Sequence, residues 1–559
     1  MSDASPPSSE HAPPDLAARD ARASNGGVLE TLESIVIAFV LAFVFRAFIV
    51  EAFVIPTGSM APTLLGQHIA MRCPQCGYRF TVGPRDTYEA TDGTMVAYRR
   101  QGEVYNKQGH RVRMPLSVPC TMCDYEIQLR SAPASAGDRI LVLKYIYALT
   151  EPRRWDVVVF KNPKQPEVNY IKRLVGLPGE QVWIVEGNIY TRPLTEQGDP
   201  PDESVPWRIQ RKGARPRVQR AVWQPIYDSD YWPLDGGEPG RTSDREQEWS
   251  LPWQPAGRSV DAWSMERGLR WNWNGGSGGA EPGVLRFHFS HERDRSNYYP
   301  YNLHDSGRGF DDEGRNTVSE LRLAATVMPR QSGLELTLTC GSRDLLVRGR
   351  IDAQGAVTIE SAQRGAGDDA DSSWEVRSRG KVQPLPPGRG VPVELWHVDQ
   401  SVWMWIDGKL AAGPWEYELS DVGLTLQELA ERQEDDARSE PVAQIALRGA
   451  PAQLRSIELD RDLYYTQAHR GPGRGTFGGP TIVAPDHFFC LGDNSPSSED
   501  SRRWMAVDPW VLDVHDLPPG FVPRELMLGR AFFVYYPASH HLARSPIGVP
   551  NFGDMRFIH

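Results

Sequence analysis

The chain has 559 residues, of which 40% are hydrophobic and 24% are charged. This length and composition are typical of a folded protein with several domains and exclude a wholly disordered chain. A formal net charge of -11 disfavours general nucleic-acid binding, and a mean hydropathy of -0.46 excludes a polytopic membrane protein while leaving room for one anchor. The 51 glycines and 46 prolines indicate many turns and predict a mainly β fold.

The N-terminal region divides into a tail and an apolar segment. Residues 1–27 are rich in Ser, Ala, Pro and Asp without an apolar period, which predicts a disordered tail. Residues 28–50 are predicted to form a single transmembrane anchor, because the stretch from Leu32 to Val50 would give about 28 Å of helix, close to the hydrocarbon thickness of a bilayer. A buried core helix is an alternative. A cleaved secretory signal is another, but the acidic tail lacks the basic leading region that such a signal needs. The charges of the tail do not set the orientation of the anchor.

Residues 51–69 contain the first element of chemical interest. An apolar run, Phe53-Val54-Ile55, ends in Pro56-Thr57-Gly58-Ser59, a turn that presents the Ser59 hydroxyl directly after the anchor. Taken alone, a serine in such a place is typical of a turn or a helix cap.

Residues 70–136 form an insertion with two C-x-x-C pairs, Cys73/Cys76 and Cys120/Cys123. Paired knuckles of this kind suit tetrahedral thiolate ligation and predict a zinc-ribbon-like hairpin holding structural zinc. Four thiolates leave no open position on the metal, so a catalytic metal is not expected. Disulfide bonding is the alternative if the segment faces an oxidising compartment.

Residues 137–190 contain a strand that ends in the turn Gly176-Leu177-Pro178-Gly179. Because side chains alternate along a strand, Lys172 shares a face with apolar neighbours while Arg173 points the other way. A lysine at an edge or in a salt bridge would give the same local pattern.

Residues 191–484 form a second, β-rich insertion that holds most of the tryptophans. Alternating segments such as Val402-Trp-Met-Trp-Ile predict half-buried strands. The pattern over about 283–459 is similar to concanavalin-like (laminin-G-like) β-sandwiches. Such a domain either binds a carbohydrate or protein ligand, with exposed Trp stacking on sugars, or serves as a scaffold with Trp in its core.

Residues 485–538 carry the loop Gly492-Asp493-Asn494-Ser495, followed by Ser498, Asp500 and Arg502, and residues 539–559 form the C-terminal tail. On its own, this loop has the composition of a solvated surface turn.

Taken together, four blocks at residues 59–64, 137–144, 170–180 and 492–502 occur in a fixed order behind an apolar segment. This order resembles the type I signal peptidases (leader peptidases). The similarity covers about residues 32–65, 137–189 and 486–537. It implies the signal-peptidase β-fold for the catalytic core, interrupted by the two insertions.

The resemblance also implies roles for individual residues. Ser59 matches the nucleophile and Lys172 the general base, with no cofactor needed for catalysis. Thr57 matches the residue whose hydroxyl, with the Ser59 N–H, forms the oxyanion hole. Ser498 matches the serine that orients the lysine, while Asp500 and Arg502 match a supporting pair.

One position departs from the family pattern. Many members have Arg where this chain has Ser495, so we expect altered packing of this loop with the chemistry retained.

The function implied by the resemblance is a membrane-bound serine endopeptidase that removes signal peptides from exported preproteins through an acyl-enzyme. Its partners would be preprotein signal peptides and the lipid bilayer of the inner (plasma) membrane, with the catalytic domain on the extracytoplasmic face. The alternatives are a binding protein with a degenerate peptidase core and a different Ser/Lys protease related to self-cleaving repressors. The complete set of Ser59, Lys172 and Ser498 opposes degeneration, and the predicted anchor opposes the repressor relationship.

Overall fold

A computed structural model describes most of the chain. The described residues are 30–41, 43, 49–83, 86–89, 95–98, 103–105, 111–113, 116–129, 132–133, 135–234, 251–266, 269–275, 281–289, 294, 296–297, 299–302, 316–342, 345–364, 374–432, 440–466, 474–476, 479–515, 518–538, 540–541, 548–549 and 551–559. The predicted tail at 1–27 lies outside them.

Strands dominate the described chain, which confirms the mainly β fold. Before residue 150 the strands are β1 Val50–Val54, β2 Ile69–Arg72, β3 Arg79–Val82, β4 Asp86–Glu89, β5 Met95–Tyr98, β6 Glu103–Tyr105, β7 Arg111–Arg113, β8 Leu116–Pro119, β9 Glu126–Leu129, β10 Ala132–Pro133 and β11 Arg139–Leu143. The next four are β12 Val157–Asn162, β13 Gln165–Gly176, β14 Glu180–Val185 and β15 Asn188–Pro193.

The large insertion contributes β16 Arg208–Ile209, β17 Gln224–Asp228, β18 Trp253–Ala256, β19 Trp263–Glu266, β20 Arg270–Trp273, β21 Gly283–Phe287, β22 Leu321–Pro329, β23 Leu334–Ser342, β24 Leu345–Ile351, β25 Ala356–Gln363, β26 Glu375–Lys381, β27 Val391–Val398, β28 Ser401–Ile406, β29 Lys409–Glu416, β30 Val442–Gly449 and β31 Ala452–Arg461. The final strands are β32 Thr481–Val483, β33 His487–Leu491, β34 Val522–Pro523, β35 Met527–Tyr536, β36 His540–His541, β37 Gly548–Val549 and β38 Arg556–Phe557.

Helices are few and short. They are α1 over residues 30–41, α2 Ile146–Leu149, α3 Pro216–Val222, α4 Leu426–Arg432 and α5 Pro509–His515. Within the described ranges, none of these helices combines the length and the apolar character needed to cross a bilayer. The predicted anchor at 28–50 lies partly outside the described residues and stays a prediction.

The core sheet brings together distant parts of the chain. Its strand order is β1-β11-β35-β12-β13-β33-β34, with β38 paired to β35. The apolar run of β12 is buried on both sides, because Val157 and Val159 pack into one hydrophobic cluster while Val158 and Phe160 pack into another. A central strand covered on both faces holds its neighbour β13 in a fixed register, with Val158 opposite Lys172.

The large insertion folds as a β-sandwich. One sheet has the order β19-β20-β31-β22-β27-β28-β29 with β17 on β31, and the other has the order β18-β21-β30-β23-β24-β25-β26. Inward side chains of both sheets form one apolar core that includes Trp253 and Trp273. The sandwich draws strands from Gln224 onward, upstream of the predicted start at 283, because the Trp-rich segments before it pair with β31 and β21.

Candidate active site

The Ser59 side chain lies on a short 3-10 turn, Gly58–Met60, that follows β1. Thr57 precedes the turn in an extended conformation and is exposed, and its side chain makes no capping hydrogen bond. Ser59 is only 9% exposed. The turn therefore holds a nearly buried hydroxyl beside an exposed one at the end of the first core strand.

Lys172 on β13 meets this hydroxyl. Its Nζ donates a hydrogen bond of 2.8 Å to Ser59 Oγ and another of 3.1 Å to the Ile171 carbonyl. The side chain is 3% exposed. Burial lowers the pKa of Lys172 to about 8, although the nearby Asp500 carboxylate opposes the shift. A substantial fraction of the amine is thus neutral near pH 8 and able to take a proton from Ser59.

Asp500 and Arg502 form the predicted pair within the loop that follows β33. Arg502 donates to both carboxylate oxygens of Asp500, at 2.9 Å from Nε and 2.6 Å from Nη2, and both side chains are fully buried. Burial alone would raise the pKa of Asp500, but Arg502 holds that pKa below its ordinary value. Asp500 also accepts the Gly492 N–H at 3.1 Å, which fixes the loop beside Lys172.

Ser495 and Ser498 are both buried in this loop and have different partners. Ser495 Oγ accepts a bond of 2.6 Å from Arg502 and one of 2.8 Å from the Thr466 N–H. The position at which the chain departs from the family pattern is thus part of the loop's support. Among the described residues, Ser498 Oγ makes no hydrogen bond to Lys172, and its side chain interacts with the Asp500 carboxylate instead. The lysine is instead directed by Ser59 and the Ile171 carbonyl.

Two contacts of the site had no role in the sequence interpretation. Arg173, next to Lys172, forms a fully buried bidentate pair with Asp493 at 2.8 and 2.7 Å. Asn494 donates its backbone N–H to the Ser59 carbonyl at 3.0 Å and its side-chain N–H to the Gly58 carbonyl at 2.9 Å. The alternation of side chains along β13 indicated that Arg173 lies on the face opposite Lys172 and has a separate role. The contacts of Asn494 join residues far apart in the sequence, so no local pattern indicated them.

The four cysteines of the first insertion converge at a second site. Their sulfurs all lie within 4.8 Å of one another, with Cys73 to Cys123 and Cys76 to Cys120 both at 3.6 Å. These separations exceed an S–S bond of about 2.05 Å and match the edge of about 3.8 Å of a tetrahedron with Zn–S bonds of about 2.3 Å. All four are free thiols, so the disulfide alternative is not adopted.

Matching turns point the sulfurs inward. The Gly77 N–H donates to the Cys73 carbonyl at 3.0 Å, and the Asp124 N–H donates to the Cys120 carbonyl at 3.1 Å. Gly77 and Asp124 both have positive φ, 78° and 58°, which turns each loop back sharply after its second cysteine. The donor set and its geometry fit a four-coordinate metal ion.

Solved structures similar to this chain match over less than half of it. A carbohydrate-binding module, CBM66 from Bacillus subtilis, is 11% identical with a TM-score of 0.22, covering 37% of this chain and 95% of that one. The laminarinase from Rhodothermus marinus is 9% identical with a TM-score of 0.25, covering 43% and 98%. Likenesses this low bear on neither the activity nor the ligand of the insertion.

Sequence comparisons show that parts of the chain are similar to signal peptidases. The family model described as signal peptidase, peptidase S26, matches residues 28–97, 122–206 and 425–536. Signal peptidase I of Aquifex aeolicus is 50% identical over 46 residues, 8% of this chain and 18% of that protein. Signal peptidase I of Pseudomonas aeruginosa is 30% identical over 142 residues, 25% and 30% of the two chains, and that of Rickettsia typhi is 26% identical over 172 residues, 31% and 46%.

The chain thus spans less than half the length of these relatives. Two of the three matched segments contain the Ser59/Lys172 pair, and the third contains Ser498, Asp500 and Arg502. The family model and these relatives thus confirm the predicted resemblance to the signal peptidases, and the chain is similar to the family described as signal peptidase, peptidase S26, over these segments.

Proposed function

We propose that this chain is a serine endopeptidase that removes signal peptides from exported preproteins with a Ser59/Lys172 dyad. The observation that carries the proposal is the 2.8 Å contact between a buried Lys172 amine and the Ser59 hydroxyl. A serine hydroxyl needs an adjacent base to become a nucleophile, and a lysine can serve only when neutral. The lowered pKa of Lys172, about 8, meets that requirement.

In the proposed reaction, Ser59 Oγ attacks the scissile carbonyl carbon while its proton passes to Lys172 Nζ. The resulting oxyanion accepts hydrogen bonds from the Ser59 N–H and the Thr57 hydroxyl. Collapse breaks the peptide C–N bond, and the protonated lysine gives its proton to the leaving amine, which leaves an ester on Ser59. The neutral lysine then deprotonates a water molecule, whose attack releases the carboxylate and restores Ser59.

The geometry of β1 supports the substrate class. This strand ends the core sheet and is paired on one side with β11 in the strand order of the described residues. An extended peptide can add as a strand beside Phe53–Ile55 and lead its scissile bond to Ser59. We expect small residues before the scissile bond, as in A-x-A-like cleavage sites.

We also propose a single-pass location in the plasma membrane with the core on the extracytoplasmic face. Helix α1 exposes a series of large apolar side chains, among them Leu32 at 54%, Phe39 at 62% and Leu41 at 63%. Exposed contiguous apolar surface of this kind is costly in water and is stabilised in a bilayer. The test is fractionation of the full chain against a variant that lacks residues 1–49, with recovery of both in the soluble fraction contradicting the anchor.

The activity is tested by incubating the purified full chain with a preprotein in detergent and following the size and N-terminus of the product. Ser59→Ala and Lys172→Ala are expected to lose cleavage by a factor of at least about 10³. Lys161→Ala is the matched control, because Lys161 is an exposed lysine on the neighbouring strand β12. No cleavage by the wild type, or full cleavage by Ser59→Ala, would overturn the proposal.

For the cysteine site we propose a structural zinc ion held by Cys73, Cys76, Cys120 and Cys123. The 3.6 Å sulfur separations support it. We expect one zinc per chain in the wild type and loss of zinc with reduced thermal stability in Cys120→Ser. Cys340→Ala, which removes a buried free thiol of the sandwich, should retain the metal. Equal zinc content in wild type and Cys120→Ser would contradict the site.

The ligand of the sandwich stays a prediction. A sugar-stacking platform needs an exposed indole, and every described tryptophan of the sandwich sheets is buried or half-buried. This arrangement supports the scaffold alternative over carbohydrate stacking. Binding of the purified protein to a panel of immobilised oligosaccharides tests the carbohydrate partner directly.

A further inference from the structure

A short segment of the large insertion, Tyr299–Asn302, packs on the turn that carries Ser59. The Tyr301 hydroxyl donates to the Gln67 carbonyl at 2.6 Å, and the Gly83 N–H donates to the Tyr301 carbonyl at 2.9 Å. The Tyr301 ring lies so close to Gly58 that an added Cβ at Gly58 would be 2.0 Å from a ring carbon. The insertion therefore forms one wall of the nucleophile turn.

Asn302 extends this contact with a reciprocal amide pair. Its Nδ2 donates to Asn494 Oδ1 at 2.6 Å, and Asn494 Nδ2 donates to Asn302 Oδ1 at 2.8 Å. Both side chains are buried. The second hydrogen on Asn494 Nδ2 goes to the Gly58 carbonyl at 2.9 Å. The Asn494 amide makes all three bonds. A rotation that exchanges its oxygen and nitrogen would therefore break both bonds with Asn302 and place Asn494 Oδ1 against the Gly58 carbonyl oxygen.

The Gly58 carbonyl is rigidly connected to the proposed oxyanion donor. The Gly58 C=O and the Ser59 N–H belong to one planar trans peptide unit and point in opposite directions. A bond that fixes the carbonyl therefore fixes the direction of the N–H. The Asn494 backbone adds a second restraint through its 3.0 Å bond to the Ser59 carbonyl.

We propose that Asn302, contributed by the large insertion, is a positioning residue that aims the Ser59 N–H at the oxyanion through Asn494 and the Gly58–Ser59 peptide. This role rests on the proposed peptidase function and assigns part of the active-site architecture to the insertion. Asn302 lies outside the three segments matched by the family model, so the role belongs to this chain's own insertion.

The test is preprotein cleavage by Asn302→Ala with kcat and KM measured separately. Loss of an oxyanion donor lowers kcat by about 10²–10³, so misdirecting one is expected to lower kcat by about 10- to 100-fold. KM should stay within about twofold, and the pH midpoint of kcat/KM should stay at the wild-type value, because neither peptide binding nor Lys172 is altered. Asn302→Ser, which is too short for the reciprocal pair, should behave alike and replaces the alanine variant if that variant does not fold.

Two comparisons separate positioning from general support. The double variant Asn302→Ala/Asn494→Ala should lose no more kcat than Asn494→Ala alone, because Asn302 acts through Asn494. Gln400→Ala removes another buried hydrogen bond between insertion and core, 2.9 Å to the Tyr190 hydroxyl, and should lower thermal stability while leaving kcat unchanged. The role of Asn302 would be overturned if the losses in kcat were additive in the double variant, or if a folded Asn302→Ala kept the wild-type kcat. Neither result would affect the proposed peptidase function, because the wild type would still cleave the preprotein. Absence of wild-type cleavage would overturn the proposed function and this role with it.

Discussion

The protonation state of Lys172 is the residue-scale property on which the proposed activity depends. Burial lowers the pKa of Lys172 to about 8. Only the neutral amine can accept the Ser59 proton, so kcat/KM should rise through pH 8 and fall about tenfold for each pH unit well below it. The measurement is kcat/KM for preprotein cleavage from pH 6 to 10, with enzyme stability checked at each pH.

A profile that stays flat between pH 6 and 9, under conditions where the chemical step limits the rate, would contradict a titrating lysine. The variant Lys161→Ala should reproduce the wild-type profile, because Lys161 is solvent-exposed on the neighbouring strand.

Ser495 and Ser498 allow a matched comparison of stability within one loop. Both are fully buried, but Ser495 Oγ accepts hydrogen bonds from Arg502 and the Thr466 N–H, while Ser498 interacts with the Asp500 carboxylate. Ser495→Ala leaves donors on Arg502 and Thr466 unpaired and should cost about 1–3 kcal/mol of unfolding free energy. Ser498→Ala leaves Asp500 paired with Arg502 and the Gly492 N–H, so it should cost less unfolding free energy than Ser495→Ala. Denaturant unfolding measures both, and a larger loss for Ser498→Ala would contradict the assignment.

The order of the motifs in the sequence predicted which residues meet in the site. The individual contacts between them could be identified only from the folded structure. Ser59 and Lys172 are 113 positions apart, and the structure brings them to 2.8 Å. The Asp500/Arg502 pair lies close in sequence, so its pairing was predictable locally. The bond expected from Ser498 to Lys172 is absent from the described site, and Asn302 carried no sequence signal, because a single Asn in a Tyr-rich loop has no period, spacing or motif. The residue types thus predicted the catalytic chemistry. The hydrogen bond that supports the Gly58 carbonyl arises from tertiary packing and was not predictable from the sequence.

At the scale of elements, β13 is held by charges as well as by apolar contacts. Arg173 on this strand is fully buried and pairs with Asp493 in the following loop at 2.7 Å. Arg173→Met would leave the Asp493 carboxylate buried and unpaired, which should lower the unfolding free energy by about 3–5 kcal/mol. Arg389→Met breaks an exposed pair with Asp407 and should cost less than about 1 kcal/mol. Denaturant titration of the two variants measures both values, and equal losses would contradict a special role for the buried pair.

Strands with a clear alternating pattern were predictable, while their partners were not. The segment around Val402 forms β28, and the tight turns of its two hairpins use residues with positive φ, Asp399 and Gln400 on one side and Asp407 and Gly408 on the other. Local turn chemistry therefore identified this hairpin. The strands β17 to β20 have only four or five residues each, too few for an alternating pattern to identify them, and β17, β18 and β20 join the sandwich by pairing with β31 and β21. For that reason the sandwich begins earlier than the sequence indicates.

At the scale of the whole molecule, a buried charge cluster joins the sandwich to the segment of the insertion that precedes it. Lys212 Nζ contacts Asp399 at 2.5 Å and Asp462 at 2.9 Å, and all three side chains are about 1% exposed. Burial by itself would lower the pKa of Lys212, but the two carboxylates hold that pKa above its ordinary value. Glu320 lies beside them, and burial, together with the charge of Asp399, raises the pKa of its carboxyl well above the ordinary value. The cation thus neutralises carboxylates that the sandwich contributes.

Removing this cation should lower the stability of the protein in a pH-dependent way. Lys212→Met keeps the bulk of the side chain but leaves Asp399 and Asp462 buried without a cation, which should cost about 3–5 kcal/mol at pH 8. Burial already raises the pKa of Asp399, and Lys212→Met removes the charge that opposes this shift. The folded variant should therefore bind more protons than the unfolded one as the pH falls, and the loss should shrink toward pH 5. Calorimetry at the two pH values, with the exposed Lys409→Met as control, measures the effect. A loss equal at pH 5 and pH 8 would contradict a stabilising role for the charge of this cluster.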